Sequence, residues 1–491
     1  MRKKILVSVA ALAAGAGLAW GQAPMPSPMD PAYISASGQQ MLDPNVMPVI
    51  GSKEPIYFQG GPGGYGCPPG GCGGQGHPPL WGGGGGGCGE GGCGDGGAGG
   101  NGCGNLFSGQ PGPGFGGQVH KAAGGPDCFF FDVDSLYYYF RSMRVNAPLL
   151  TAGPIGTTGR IGEDGVRVLV GDNHFKFGPQ AAIRLNMGAW CEDRIWGLNV
   201  SAFITEERAE VDEFDAPITG RTVLARPTFN VLTGVTDAVT IASPPNFGGS
   251  AVVYANSRAG GAEVNLMRNW AYYDKFKLTG LVGVRWFSLN EQLRIDSSSS
   301  VPSNDPNDPS IRDINDTFLT RNNFYGGQLG FDAEVRRGRW FTDVTAKFAA
   351  GFTHEKLNQS GFTAFGGPAL PGEVIVRDPA LRTVVPSGVF VAEPNSGSFS
   401  DKQFSWMPEG NVRIGYQWTQ RLSSYIGYDI MYISKVVRPG DQVNPNVNPT
   451  LLPITNVFNP QFPFGPPEPS LLFKTGDFVM QGFELGITYR Y

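Results

Sequence analysis

The last nine residues, Phe483-Glu-Leu-Gly-Ile-Thr-Tyr-Arg-Tyr491, alternate between apolar and polar side chains without a break. Successive side chains of a β-strand point to opposite sides, so this alternation predicts a strand with one apolar face. The apolar face carries Phe483, Leu485, Ile487, Tyr489 and the terminal Tyr491. The opposite face carries Glu484, Gly486, Thr488 and Arg490.

The same alternation recurs about ten times from Phe129 onward, in segments of nine to thirteen residues. That length is what a tilted strand needs to cross a bilayer. The final strand resembles the C-terminal signal that the outer-membrane barrel assembly machinery recognises, which ends in an aromatic residue. We predict an all-β transmembrane barrel of ten strands, or twelve if residues 372–393 contain a hairpin. A soluble β-sandwich is the alternative, although its strands are usually shorter.

The connections between predicted strands alternate between short and long. The short ones are residues 191–194, 269–275, 336–339 and 419–421. The long ones are residues 143–178, 207–260, 295–320, 357–402 and 438–476. Short periplasmic turns and long external loops are typical of an antiparallel up-and-down barrel in the outer membrane.

The N-terminus predicts export. Residues 1–21 combine a basic start, an apolar stretch and small residues before a cleavage point, which is typical of a signal peptide. Residues 22–125 are rich in Gly and Pro and lack hydrophobic periodicity, which predicts a disordered periplasmic segment. Residues 126–491 then form the barrel.

The Gly-rich segment contains two C-x4-C pairs, Cys67 with Cys72 and Cys88 with Cys93. Cysteines this close in a glycine-rich chain can form local disulfides in an oxidising periplasm. Two alternatives stay open: a soft-metal site that includes His77, and crosslinks to other envelope components.

The composition argues against several functions. The formal net charge is −5 and the basic residues are scattered, so a nucleic-acid partner is not expected. Only four histidines are present, without a supporting catalytic motif, and no glycine-rich phosphate loop occurs. We expect no enzyme activity and no cofactor. The expected partners are outer-membrane lipid and the barrel assembly machinery.

Three stretches carry a family resemblance. They are Asn322-Asn-Phe-Tyr-Gly-Gly-Gln-Leu-Gly330, Gly280-Leu-Val-Gly-Val-Arg-Trp286, and Ile426-Gly-Tyr-Asp-Ile-Met-Tyr432 running into Val436-Val-Arg-Pro-Gly-Asp-Gln442. Together they resemble the planctomycete β-barrel porin family called the seventh such family. The resemblance implies an outer-membrane barrel and no particular substrate.

The polar faces of the predicted strands would line the lumen with charges of both signs. These residues are Asp132, Asp134, Arg184, Glu263, Lys277, Arg285, Asp332, Glu334, Lys347, Arg413, Asp429, Glu484 and Arg490. We predict a porin-like barrel that lets small solutes or ions diffuse passively through a narrow polar lumen. The alternative is a structural or adhesive envelope protein that uses a closed, filled barrel as its membrane anchor. Past one strand end, Arg438 and Asp441 are expected to pair across a Pro-Gly corner.

The terminal aromatic residue gives a first test. We expect Tyr491→Ser to lower the amount of folded barrel in the outer membrane severalfold, because the assembly signal loses its last aromatic side chain. The matched control Tyr491→Phe should assemble like the parent. Heat-modifiable migration on gels of outer-membrane fractions measures both variants, and equal amounts of all three chains would contradict this role.

Overall fold

The computed structural model describes residues 129–172, 174–191, 194–273, 275–300, 311–366, 383–453 and 463–491. Within these ranges no helix is long and apolar enough to span a membrane. The predicted signal peptide, the Gly-rich segment and its cysteines Cys67, Cys72, Cys88 and Cys93 lie outside the described residues.

Ten antiparallel strands close into a ring. They are β1 (Phe129–Phe140), β2 (Pro179–Trp190), β3 (Trp196–Thr205), β4 (Gly248–Tyr272), β5 (Phe276–Ser300), β6 (Ile311–Arg337), β7 (Trp340–Gly366), β8 (Gly397–Gln417), β9 (Leu422–Val437) and β10 (Thr475–Arg490). Each strand pairs with the next, and β10 pairs with β1 to complete the ring. The all-β up-and-down barrel is confirmed.

The two ends of the barrel differ. At the short-turn end, β2–β3, β4–β5, β6–β7 and β8–β9 are joined by two to five residues. Gly338 has a φ of 64° in the two-residue turn between β6 and β7, a conformation that glycine adopts without strain. The chain enters β1 and leaves β10 at this same end. The long connections all lie at the opposite, long-loop end.

Strands β4 to β7 contain 25 to 27 residues and are much longer than predicted. At roughly 3.4 Å per residue and a tilt near 40°, such strands rise about 65–70 Å, whereas an apolar membrane band is about 25 Å tall. The expectation of nine to thirteen residues was therefore wrong for these four strands, and it was also too short for β8, with 21 residues, and for β9 and β10, with 16 each. Much of the predicted loops 207–260, 295–320 and 357–402 is strand.

The strands were predicted too short because the outer and inner faces exchange apolar and polar side chains along each long strand. Near the short-turn end of β5, Val282 and Val284 face outward and Arg285 is buried inside. Farther along, Arg294 faces outward while Leu293 and Ile295 are fully buried inside. The pattern of apolar outward residues therefore ends at this point, although the strand itself continues.

The outward apolar side chains near the short-turn end form a continuous apolar belt. Its exposed members include Val133, Leu185, Leu266, Val284, Leu329, Phe348, Ile414, Ile426 and Leu485. Exposed apolar residues that encircle a barrel are typical of a surface in contact with lipid.

Beyond the belt the long walls continue into a head, which we define as the described residues on the long-loop side of the belt. A five-stranded sheet is formed here by Pro148–Pro154, Arg167–Gly171, Thr222–Asn230, Val235–Ala242 and Asn446–Val447. Smaller elements are Met143–Arg144, His174–Phe175, Arg208–Ala216, Thr383–Val385 and the 3₁₀ helices Pro439–Gln442 and Pro449–Leu451.

The head has its own apolar core. Loop residues such as Leu149, Phe177 and Phe390 pack with inward residues of the upper wall such as Leu293 and Phe318. All five are almost fully buried. The described parts of these connections thus fold inward and contribute to this core.

Asp316 on β6 holds one of these connections in place. Its carboxylate is fully buried and accepts hydrogen bonds from the backbone N–H groups of Val389, Phe390 and Val391 at 3.1, 3.1 and 2.7 Å. It also forms a buried ion pair with Arg226, whose guanidinium lies 4.9 Å from the centre of the Phe390 ring. One carboxylate therefore joins the wall, the head sheet and the 383–396 connection.

We expect Asp316→Ala to loosen the head without opening the membrane barrel. The variant leaves the Arg226 charge buried and unpaired, which typically costs about 3–5 kcal/mol. Hydrogen exchange at the amides of residues 389–391 should accelerate strongly, while β1 and β10 stay protected. Asp215→Ala, at an exposed carboxylate, is the control. Unchanged hydrogen exchange in Asp316→Ala would show that this carboxylate does not hold the 383–396 connection in place.

Candidate functional site

The lower lumen, inside the apolar belt, contains a polar chamber of about 400 Å³. Trp190, Tyr272 and Gln417 lie along its rim, which places the opening at the short-turn end. Ten of the thirteen residues predicted to face the lumen line this chamber: Asp132, Arg184, Glu263, Lys277, Arg285, Asp332, Glu334, Lys347, Arg413 and Arg490. The other three, Asp134, Asp429 and Glu484, are buried above it.

One ion network joins five consecutive strands of the ring, from β8 through β10 and β1 to β2. Arg184 on β2 contacts the carboxylates of Asp429 on β9 and Glu484 on β10 at 3.2 and 3.4 Å. Arg413 on β8 contacts Glu484 at 2.5 Å and Asp134 on β1 at 3.6 Å. Burial makes these pairs stronger than exposed pairs, because little water screens them.

Tyrosine hydroxyls complete this network. The Tyr138 hydroxyl donates to Asp429 at 2.9 Å and accepts from the Arg184 guanidinium at 2.6 Å. The Tyr425 hydroxyl donates to Asp134. These hydroxyls satisfy oxygen atoms that the two arginines leave open, which a buried charge cluster requires.

A second network bridges the other side of the lumen. Lys347 on β7 contacts Glu263 on β4 at 2.5 Å and Glu409 on β8 at 3.2 Å. Arg285 on β5 contacts the same two carboxylates, with Glu263 at 3.5 Å. The four charges therefore neutralise one another across the chamber.

Glu409 is a lumen residue that the sequence analysis missed. It faces inward on β8 between Pro408 and Gly410. Proline and glycine in a run of residues argue against a central strand, so this part of the alternation carried no clear signal. The periodicity of Phe404 and Trp406 with Val412 was the remaining indication of a continuous strand.

Above the ion networks, aromatic side chains cross the lumen in an unbroken chain. Ring centroids are 6.2 Å apart for Tyr138 and Phe203, 6.4 Å for Phe203 and Phe287, and 6.5 Å for Phe287 and Phe478. Phe287 lies on β5 and Phe478 on β10, which are opposite one another on the ten-strand ring. Their side chains therefore meet across the lumen.

These aromatic residues belong to a middle apolar layer. The layer also includes Leu136, Leu289, Phe324, Met407, Ile433 and Met480, all almost fully buried. The head core lies beyond it. The lumen therefore runs from a polar chamber through an ion network into two successive apolar layers.

The corner after β9 is fixed differently from the expectation. Arg438 pairs with Glu291 on β5 through two contacts of 2.8 and 2.6 Å, and it also donates to the carbonyl of Ser142 at 2.9 Å. Asp441 instead accepts a hydrogen bond from Asn146 at 2.9 Å. The expected pair of Arg438 with Asp441 was wrong, because the buried Glu291 across the lumen offers a bidentate partner.

A ring of ten antiparallel strands with an apolar belt outside and a charged lumen inside defines a β-barrel protein of the outer membrane. The family model described as "Putative beta barrel porin-7 (BBP7)" matches residues 130–491. The chain belongs to this family. No curated protein matches the sequence significantly.

Solved structures with similar folds include the outer membrane protease OmpT from Escherichia coli, with 11% identity and a TM-score of 0.34 over 76% of this chain and 99% of that chain. A Pseudomonas aeruginosa FadL homologue has 8% identity and a TM-score of 0.21 over 74% and 90%. The Pseudomonas putida toluene transporter TodX has 8% identity and a TM-score of 0.19 over 74% and 90%. Likenesses this distant carry no conclusion about function.

Glu355 is an unusual carboxyl on the inner face of β7, above the belt. Its side chain is buried, and neither carboxylate oxygen has a hydrogen-bond partner in the part of the chain that the structure describes. Burial, reinforced by the charge of Asp401 and opposed by Lys435, raises the pKa of Glu355 to about 7. The folded protein therefore favours the protonated form of this carboxyl.

This shift predicts a pH-dependent stability. A carboxyl with a raised folded-state pKa destabilises the fold as the pH rises from its ordinary value of 4.5 through about 7. Glu355→Gln removes that penalty. The melting temperature of this variant should therefore exceed the parent's at about pH 8.5 and match it at about pH 4.5. Glu213→Gln, at an exposed carboxylate, should show no such difference. A constant offset at every pH would mean that Glu355 does not titrate in this range.

Proposed function

We propose that this protein is an outer-membrane anchor that holds a folded head at the cell surface, and that its lumen is closed to solutes. The observation that carries the proposal is the contact of Phe287 with Phe478 across the centre of the barrel. A hydrated ion would have to lose its water to pass this layer, and apolar constrictions block conduction in this way.

The head supplies a second barrier in series. Residues of the 383–396 connection and of the head sheet fill the upper lumen with apolar side chains. Asp316 and the pair of Arg438 with Glu291 attach these segments to the barrel wall. Buried charged contacts of this kind favour one fixed arrangement over a mobile loop.

We place the short-turn end toward the periplasm and the head outside the cell, because short periplasmic turns and long external loops are the usual arrangement. Residues 22–125 would then precede β1 on the periplasmic side, where Cys67, Cys72, Cys88 and Cys93 are available for disulfides or for crosslinks to envelope components. Outer-membrane lipid and the assembly machinery are the other proposed partners.

We propose no catalytic role. Most lumen carboxylates are engaged by arginine, lysine or tyrosine side chains, and Asp132 and Asp332 accept hydrogen bonds from Asn186 and Thr345. His354 faces outward, away from them. In the ranges that the structure describes, no group of three or more His, Cys, Asp or Glu residues is arranged to hold a metal ion.

Passive diffusion of small solutes or ions is the second candidate. The polar chamber and its charges of both signs favour it, as does the description of the family as a porin. Charge rings can select ions in such a lumen. This function requires both apolar layers to part, which gives the two candidates opposite electrical behaviour.

Single-channel recording in a planar bilayer distinguishes them. We expect the refolded, heat-modifiable mature chain to be silent at both polarities. Phe287→Ala/Phe478→Ala combined with Asp316→Ala should produce discrete steps, because this variant weakens both barriers. The matched control is Phe348→Ala/Phe352→Ala combined with Asp316→Ala, which removes two outward phenylalanines and should stay silent. Discrete steps with an ion preference in the parent would reject the closed anchor and support the diffusion pore.

A further inference from the structure

The upper margin of the apolar belt is marked by a row of aromatic residues. Strand register places Trp286 on β5 beside Tyr325 on β6, then Phe352 on β7, then Phe404 on β8. Phe352 and Phe404 are 47% and 60% exposed, and their ring centroids are 5.9 Å apart. Aromatic side chains at this position are typical of the boundary between lipid tails and headgroups.

Directly above this aromatic row, the outer face becomes cationic. The next register row places His354 on β7 opposite Lys402 on β8, and the row after it places Arg321 on β6 opposite Lys356 on β7. We call these four residues the cationic patch. Directly opposed residues have Cα atoms about 4.5–5.5 Å apart, so the patch is compact.

The patch points away from the lumen. Lys402 places its ammonium 4.6 Å from the centre of the outward Phe352 ring. The His354 ring centroid lies 5.9 Å from that of the outward Tyr325. Arg321 donates to the outward Asn290 at 3.2 Å, which leaves its terminal guanidinium nitrogens available to another acceptor.

Like charges directly opposite one another on neighbouring strands destabilise a sheet. Arg321 and Lys356 are such a pair, and the two register rows contain no Asp or Glu across β4 to β8. An anion bound between them would remove the repulsion.

Nearby acids do not neutralise the patch. Asp401 alternates to the opposite face of β8 and accepts a hydrogen bond from Gln403 at 3.1 Å. Glu206 and Glu207 lie at the β3 end of these rows, where Arg208 contacts Glu206 at 2.9 Å and Asn256 contacts Glu207 at 2.7 Å.

Two other outward arginines of the barrel have acidic partners. Arg294, higher on β5, pairs with Asp296 at 2.8 Å. Arg141, after β1 on another part of the wall, pairs with Asp477 of β10. The cationic patch differs from these two arginines, because within the described residues no ion pair joins any of its members to Asp or Glu.

We propose that the cationic patch binds the phosphate headgroup of an anionic lipid, with the acyl chains against Phe352, Phe404 and the belt below. Arg321 supplies a planar donor for phosphate oxygens, and Lys356 and Lys402 supply ammonium groups. The site would recruit an anionic lipid to the face formed by β6, β7 and β8. This proposal rests on the membrane position given above and is independent of whether the lumen conducts.

Native mass spectrometry of the full mature chain in neutral detergent tests the site, with dioleoyl phosphatidylglycerol as the probe. Dioleoyl phosphatidylcholine is the lipid control, and inorganic phosphate separates a lipid site from a simple anion site. We expect one phosphatidylglycerol molecule to bind saturably to the protein, and we expect added salt to abolish this binding. Arg321→Gln/Lys356→Gln/Lys402→Gln should weaken it by on the order of 100-fold, since each basic residue near an anionic surface contributes a several-fold gain.

Two further variants keep the test decisive. Arg167→Gln/Lys176→Gln/Arg221→Gln removes three exposed cations from the head, and it should bind the lipid like the parent. Lys356→Arg/Lys402→Arg keeps the charge and should retain binding. Heat-modifiable migration establishes that each variant is a folded barrel.

Equal affinity of the patch variant and the head variant would overturn the proposal. Equal binding of phosphatidylcholine and phosphatidylglycerol would also overturn it, because the protein would then adsorb acyl chains without recognising the headgroup. Binding of inorganic phosphate with the same affinity would also overturn it, because the aromatic row would then contribute nothing. A parent that conducts in a bilayer, yet binds phosphatidylglycerol through the patch, would reject the closed anchor and leave this site intact.

Discussion

The closure of the sheet between β1 and β10 is the constraint on which the rest of this structure depends. Lipid offers no partner for backbone N–H and C=O groups, so a sheet in the membrane must leave no open edge. The pairing of Phe131 with Tyr489 and of Tyr137 with Phe483 meets that requirement and places the C-terminal aromatic residues on the lipid-facing wall. Ten strands then enclose a lumen narrow enough for side chains from opposite walls to touch.

A narrow lumen changes what inward charges can do. In a wide pore they would face water, whereas here Arg184 reaches from β2 to Asp429 on β9, and Lys347 reaches from β7 to Glu263 on β4. These pairs brace the wall from the inside. The exchange of apolar and polar faces along β4 to β7 gives the same barrel a second interior, which the loops fill as an apolar core. The membrane barrel and the head are therefore two halves of one set of strands.

Alternation in the sequence was sufficient to predict the barrel, its ten strands and the lumen-facing side of residues such as Arg184 and Glu484. It was insufficient for the lengths of β4 to β7, because Leu293 and Ile295 turn inward where the lipid-facing pattern ends. It also missed Glu409, between Pro408 and Gly410, and the contact of Arg438 with Glu291. Such contacts join residues that are 147 positions apart in the chain, and local periodicity contains no information on which opposite wall a side chain meets.

The most direct test of a closed lumen is to determine from which side of the outer membrane a reagent can reach the polar chamber. Ser201 lines that chamber, and Ser201→Cys is a small change that a membrane-impermeant maleimide would detect. Labelling should occur only after the outer membrane is permeabilised, while Thr233→Cys on the exposed part of the head should react in intact cells, both measured above the parent's own cysteines. Labelling of Ser201→Cys in intact cells at the rate of the head position would contradict the account, because the lumen would then be open to the cell surface.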